Sequence, residues 1–233
     1  MDALDVIRRA DVDGLELAPP LPPDEVARLE EELGAPPSRE LRAVLGRTAA
    51  IAGTRLDRID FTGRTMDYED RDIFPLGLPF ASDGAGNFWV LDLAAEASDV
   101  SAVFFACHDP PVVLYDNPDL GHFLEDVVRM ERSQVDETRR ESLFTVWRTN
   151  PGTIDHAAAL AGDDDLRTFA TELGDRFTFV DLRSPVVGMG FSWGRYGPLT
   201  EVRRHASQRL FAGAPPERKP GLMSRLLGRT PSR

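Results

Sequence analysis

The chain has 233 residues, of which 42% are hydrophobic and 28% charged, with a net charge of −12 and a single cysteine. That length builds one large domain or two small ones, and the composition is that of a folded globular protein rather than a disordered one. One cysteine excludes an internal disulfide, and no apolar run reaches the roughly 20 residues that span a bilayer. The opening "MDALDVIRRADVDG" has acids among its apolar residues and lacks the apolar core of a secretory signal, so a cytoplasmic protein is expected.

Residues 3–10 suit a short helix. In "LAPPLPPDEVARLEEELG", Pro22 and Pro23 open a helix whose first turn carries Asp24 and Glu25, where negative charge meets the positive end of the dipole. Val26, Leu29 and Leu33 share one face, and Gly34 ends the helix. Ser38 is placed to cap the next helix, with Leu41, Val44 and Leu45 as its apolar stripe.

Strand patterns follow. "RLDRIDF" alternates Leu56, Ile59 and Phe61, and "LPFASDGAGNFWVLDL" reads as a hairpin turned through Gly84 and Gly86. "SAVFFACHD" is apolar on both faces, which predicts a central strand, and "PPVVLYD" begins with prolines suited to a strand end or edge. Asn117 and Pro118 read as cap and first-turn proline of a helix over 118–132, with Leu120, Phe123, Leu124 and Val127 facing inward. Beyond it, helices over 136–148, 153–161 and 164–173 precede the strand "RFTFVDL" and strands in "GMGFSWGRYG" and "TEVRRHASQRLFAG". "GAPPERKPG" has the composition of a linker. The expected organisation is an α+β domain over 1–133 with a mostly antiparallel sheet flanked by helices, an extension over 134–213, and a basic tail over 214–233.

Charge is unevenly placed. From Val202 onward eight Arg or Lys residues face one acid, Glu217, a surplus of +7; residues 1–201 therefore carry −19. A body that acidic repels nucleic acid, whose phosphates need Lys and Arg, and attracts basic partners. The tail stretch "GLMSRLLGR" puts Leu222, Met223, Leu226 and Leu227 on one helical face and Arg225 and Arg229 on the other. It is shorter than the roughly 12–15 residues at which isolated helices become stable. An unstructured basic end, a groove-bound helix and a segment lying on an anionic membrane are the readings it allows.

Chemistry-bearing motifs are few. "GFSWG" around Ser192 matches the G-x-S-x-G of a nucleophile elbow, which needs a helix leaving the serine at once. Gly194, Gly197 and Pro198 would break such a helix, and no aspartate follows Ser192, so no catalytic residue is assigned. "SDGAGN" lacks the Lys-Ser/Thr ending of a phosphate loop. In "CHDPP", Cys107, His108 and Asp109 are adjacent on a strand and point to opposite faces, which disfavours joint metal binding. "DYEDRD" (67–72) and "GDDD" (162–165) do not have calcium-loop spacing; the second fits the acidic first turn of a helix. No metal and no cofactor is expected.

Residues 20–133 resemble the SUKH superfamily, which includes the Smi/Knr-type cell-wall-assembly regulators of yeast. "LPPDEVARLEEELGAPPSRELRAVL" is similar to that family's opening helices, "FPLGLPFASDGAGNFWVLDL" to its glycine-turn hairpin, and "VFFACHDPPVVLYDNPDLGHFLEDV" to its next strands and closing helix. "GRTAAIAG" departs from the family's Asn-Gly-Gly turn, and residues 134–213 are an addition that short members lack. The resemblance implies a non-enzymatic protein-binding module. Many bacterial relatives look like immunity proteins that neutralise secreted toxins, often nucleases; others are regulatory hubs. The expected partner is a protein, such as a basic toxin domain, with no direct nucleic-acid contact and no small-molecule substrate. The alternative is a regulatory adaptor docking through its basic tail. Polar groups beside aromatics near the hairpin supply the candidate binding residues: Asp83, Asn87, Trp89, Asp92, His108 and Asp109.

Overall fold

The computed structural model describes residues 1–12, 15–68, 72–93, 99–131, 137–206 and 208–217. Its helices are α1 (Ala3–Val12), α2 (Pro23–Leu33), α3 (Arg39–Leu45), α4 (Leu120–Glu131), α5 (Glu137–Thr149), α6 (His156–Leu160) and α7 (Asp164–Leu173). Its strands are β1 (Glu16–Leu17), β2 (Ala50–Ala52), β3 (Arg58–Asp60), β4 (Gly77–Ser82), β5 (Phe88–Asp92), β6 (Val103–His108), β7 (Pro111–Asn117), β8 (Thr153–Ile154), β9 (Thr178–Asp181), β10 (Gly190–Phe191), β11 (Glu201–Arg204) and β12 (Leu210–Ala214).

The first seven strands form an antiparallel meander, and β10 returns from far along the chain to pair with β7. A second antiparallel sheet has the order β11-β12-β9-β8. Alternation of side chains across each strand sorts the apolar residues into layers. Leu91, Phe105, Cys107 and Leu114 face the helices, packing with Ile7 of α1, Leu29 of α2, Leu45 of α3, Phe123 of α4 and Val146 of α5. Their neighbours Val90, Phe104, Ala106 and Val113 face the second sheet, packing with Val180, Val202 and Phe211. The outer face of that second sheet, through Phe179, Leu210 and Ala212, is covered by Leu166 and Phe169 of α7. The result is an α/β/β/α stack, an α+β protein as expected. It explains why "SAVFFACHD" is apolar on both sides: β6 lies between β5 and β7 with both faces covered.

Local signals act where expected. Ser38 Oγ accepts from the Leu41 amide, and Gly34 closes α2 at φ 68°, a left-handed conformation that favours glycine. Asp163 caps α7 by accepting from Leu166. Two starts differ. Helix α4 begins at Leu120, and its first amides are met by Asp119, which accepts from His122 (2.8 Å), and by Glu40 of α3, which accepts from Leu120 (3.1 Å) and Gly121 (3.0 Å). Asn117 instead donates to Asp126 at 3.0 Å. Burial pushes the Glu40 carboxyl above its ordinary range, against the two amides and the N-terminal ammonium that hold it charged and with the Asp119 charge reinforcing it. The helix expected over 153–161 is split, with β8 first and α6 starting after Asp155, which accepts from the Ala158 amide.

The extension engages the first block on three sides. Helix α5 lies on the helical face, β10 lengthens the main sheet, and the second sheet covers the opposite face. Between the sheets, Asp92 has a fully buried side chain and accepts from Arg204 (3.0 Å, itself 1% exposed) and Arg209 (2.8 Å). Arg204 also lies over the Phe74 and Phe211 rings. Three arginines counted in the basic C-terminal region therefore belong to the folded body: Arg204 and Arg209 hold the sheets together, and Arg203 pairs with Glu201. After Ala214, five basic residues against Glu217 leave +4.

Candidate functional site

Four of the six candidate residues share one place, and the other two lie inside on opposite faces of β5. Asp83, Asn87, His108 and Asp109 gather at the end of the main sheet where the β4–β5 and β6–β7 turns lie side by side. Within the first turn, Asp83 Oδ1 accepts from the Ala85 (2.9 Å) and Asn87 (3.2 Å) amides, and Asp83 Oδ2 from Asn87 Nδ2 (2.7 Å). Gly84 and Gly86 take φ of 76° and 85°, conformations an L side chain rarely adopts. Gly86 also lets the His108 ring lie against the turn, since a Cβ there would sit 3.0 Å from it. Asn87 Oδ1 accepts from the His108 amide (3.2 Å) and lies 3.3 Å from His108 Nδ1. With an amide oxygen facing it, Nδ1 carries the proton in the neutral ring, and Nε2 keeps the lone pair.

Two neighbours escaped the sequence reading. Asp57, before β3, lies beside Gly84, close enough that a Cβ there would be 3.3 Å from its carboxyl carbon. Trp193 donates its indole N–H to the Cys107 carbonyl at 3.3 Å. The signal for Asp57 was the strand register, since Arg58 pairs with Ser82 next to Asp83; register follows from three-dimensional pairing, not from the local pattern. Asp57, Asp83 and Asp109 thus place three carboxylates along one rim. Burial raises the Cys107 thiol above its ordinary value; the Asp109 amide opposes this, while the Asp83 and Asp109 charges reinforce it.

Trp89 and Asp92 are corrected to interior positions. Trp89 is buried among the helix-facing residues and donates to Asp116 Oδ2 at 2.9 Å. That carboxylate also receives both arms of Arg139 of α5, at 2.6 and 3.1 Å, and the guanidinium lies over the Trp89 ring. Asp92 is the inter-sheet acceptor already described. Neither reaches a surface that a partner could touch, because each is consumed in joining the extension to the first block.

Ser192 sits where β10 meets β7. Its amide donates to Asn150 Oδ1 (3.1 Å) and its hydroxyl to the Pro111 carbonyl (3.4 Å); among the described residues neither a histidine nor a carboxylate is its hydrogen-bond partner. Gly190 is required for close passage, since a Cβ there would collide with the Val113 carbonyl. The pattern is a strand-joining motif here. Among the described residues no group of three or more His, Cys, Asp or Glu is placed to hold a metal, and no helix is long and apolar enough to cross a membrane. Of the "DYEDRD" stretch, residues 69–71 lie outside the described residues, as does the tail from 218.

No protein-family model matches the chain, and neither a curated protein nor a solved structure matches it.

Proposed function

We propose that the chain is a non-enzymatic, cytoplasmic protein-binding module of the immunity type, which neutralises a basic protein partner by covering its working face. The observation that carries this reading is the rim of Asp57, Asp83 and Asp109 on two adjoining turns. Asp83 is immobilised by its three acceptor bonds, and a preorganised charge loses little freedom on binding. With Arg203, Arg204 and Arg209 counted in the body, the chain's −12 less the +4 beyond Ala214 leaves −16 on residues 1–214, a long-range field that accelerates encounter with a cationic surface. A nuclease-type toxin presents such a surface where it holds phosphates. The resemblance of residues 20–133 to the SUKH superfamily points to the same class. The adaptor alternative rests on the tail, and no separate observation favours it.

The test begins with a partner recovered from the native cell and shown to be toxic when expressed alone. Co-expression of this chain should rescue growth. Reversal of the two carboxylates that accept no side-chain bond among the described residues, in Asp57→Lys with Asp109→Lys, should weaken binding at least tenfold at low salt, mainly through a slower association rate. Rescue and affinity unchanged by the reversal would refute the rim, and turnover of a substrate by the purified chain would refute the whole reading.

A further inference from the structure

Among the described residues the three most exposed large apolar side chains, Leu199, Val186 and Val187, are 73%, 69% and 57% accessible, and all lie between β9 and β11. Val186 and Val187 border an open groove of about 380 Å³ between α5 and the turn before β8, together with Thr145, Pro151 and Met189 and with Glu141 on its flank. The groove wall is held in place: the Gly188 amide donates to the Tyr115 carbonyl at 2.9 Å and the Met189 amide to Val186 at 2.9 Å. Gly188 has φ 89°, and a Cβ there would meet Ser142 Oγ of α5 at 2.6 Å. An apolar, rigid, solvent-facing groove is a surface shaped to be covered.

The chain itself supplies a segment of matching chemistry. The sixteen residues 218–233 carry five basic side chains and no acid, and the stripe Leu222, Met223, Leu226 and Leu227 at helical spacing. That stripe needs an apolar surface, because a helix of about ten residues does not hold itself together in water. The described chain ends at Glu217, near Arg176, which also donates to the Pro215 carbonyl at 3.1 Å. Arg176 precedes β9, and the groove lies toward the other end of that strand, since Thr153, next to Gly152 of the groove, pairs with Val180. Four strand residues span about 13 Å, and the three residues 218–220, when extended, carry the chain about 13 Å from Glu217 to Gly221. An extended linker therefore matches that span, and the charge of the segment is opposite to that of the body.

We propose that residues 221–229 dock in cis on the groove between α5 and the 186–189 turn, with their apolar stripe on Val186 and Val187 and their arginines toward Glu141 and the acidic surface. This contact is independent of which partner the turn rim binds.

The only native thiol, Cys107, is buried, so introduced cysteines report cleanly. The full chain carrying Val187→Cys and Met223→Cys should, on mild oxidation, form an intrachain disulfide that runs as monomer on a non-reducing gel. The control pair Leu199→Cys with Met223→Cys, exposed but away from the groove, should give at most a tenth of that yield. Equal yields from the two pairs, or a dimer-sized product from the first, would overturn cis docking; the second outcome would assign the groove to another copy. A synthetic 218–233 peptide added to chain truncated after Glu217 should shift the Val186 and Val187 methyl resonances saturably, and unchanged resonances would also overturn it.

Discussion

On one face of the eight-stranded sheet, Leu91, Phe105 and Leu114 meet α1, α3 and α4, which belong to the same stretch of chain as the strands. On the other, Val90, Phe104 and Val113 meet β9, β11 and β12, which arrive from the extension. The first face is sealed mainly by apolar contact between helices and strands. The second adds a buried carboxylate, Asp92, shared by two arginines of the β11–β12 hairpin. Burial of an ion set is no guarantee of net stability, because desolvation offsets much of the attraction. What the arrangement does provide is a geometric condition: only one registration of the sheets brings Arg204 and Arg209 to Asp92. The helical face carries a condition of its own at one place, where Asp116 takes Arg139 of α5 and the Trp89 indole together; elsewhere it is apolar contact.

The most direct way to break this contrast is Asp92→Ala, which leaves two arginines without the carboxylate they share and is expected to cost about 3–5 kcal/mol. Chemical denaturation measures the total, and hydrogen exchange should place the loss in β9, β11 and β12 before α1 and α4. Leu124→Ala on the helical face removes a buried apolar group and is expected to cost about 3 kcal/mol, with protection in the second sheet unchanged. If both variants loosened the same elements, the two faces would not be energetically distinct.

A smaller effect sharpens the comparison at a local device. Ser38→Ala removes the cap of α3 and is expected to lower stability by about 1 kcal/mol, read in the same denaturation assay. The smallest concerns the end of β9 beside the start of α7. There Arg183 donates to Asp163 and Asp181, and its hydrogen bonds, helped by the Leu166 amide, hold the Asp163 carboxyl down to about 2 from an ordinary 3.8. A depressed carboxylate stabilises the fold above its ordinary value, and that contribution disappears as pH falls from 3.8 through about 2. Carboxyl NMR should place the Asp163 midpoint near the lower figure, and Arg183→Gln should raise it toward the ordinary range and lower neutral-pH stability slightly, a difference that shrinks as pH falls toward about 2.

Legibility in the sequence followed the range of the interactions. Ser38, Gly34, Gly84 and Gly86 act within a few residues of themselves, and each performs the role its local pattern implies. Helix α4 was visible as a helix, yet its start was not, because the groups meeting its first amides include Glu40 from a helix eighty residues earlier. Of the candidate binding residues, the four on turns were brought together as a group. Trp89 and Asp92 were drawn inside by Arg139, Arg204 and Arg209, partners that no spacing rule within the hairpin announces. Asp57 joined the rim only through strand register.

By itself the sequence determined the elements, the apolar periods that divide each strand into two faces, and the large negative charge of the body, since these depend on neighbouring residues and on composition. Tertiary structure alone decided what covers each face and which charges remain at the surface. A strand that is apolar on both faces requires that both sides be buried but says nothing of the segment that buries them. That choice is made by long-range packing, and with it the division between the arginines consumed between the sheets and the carboxylates left on the rim.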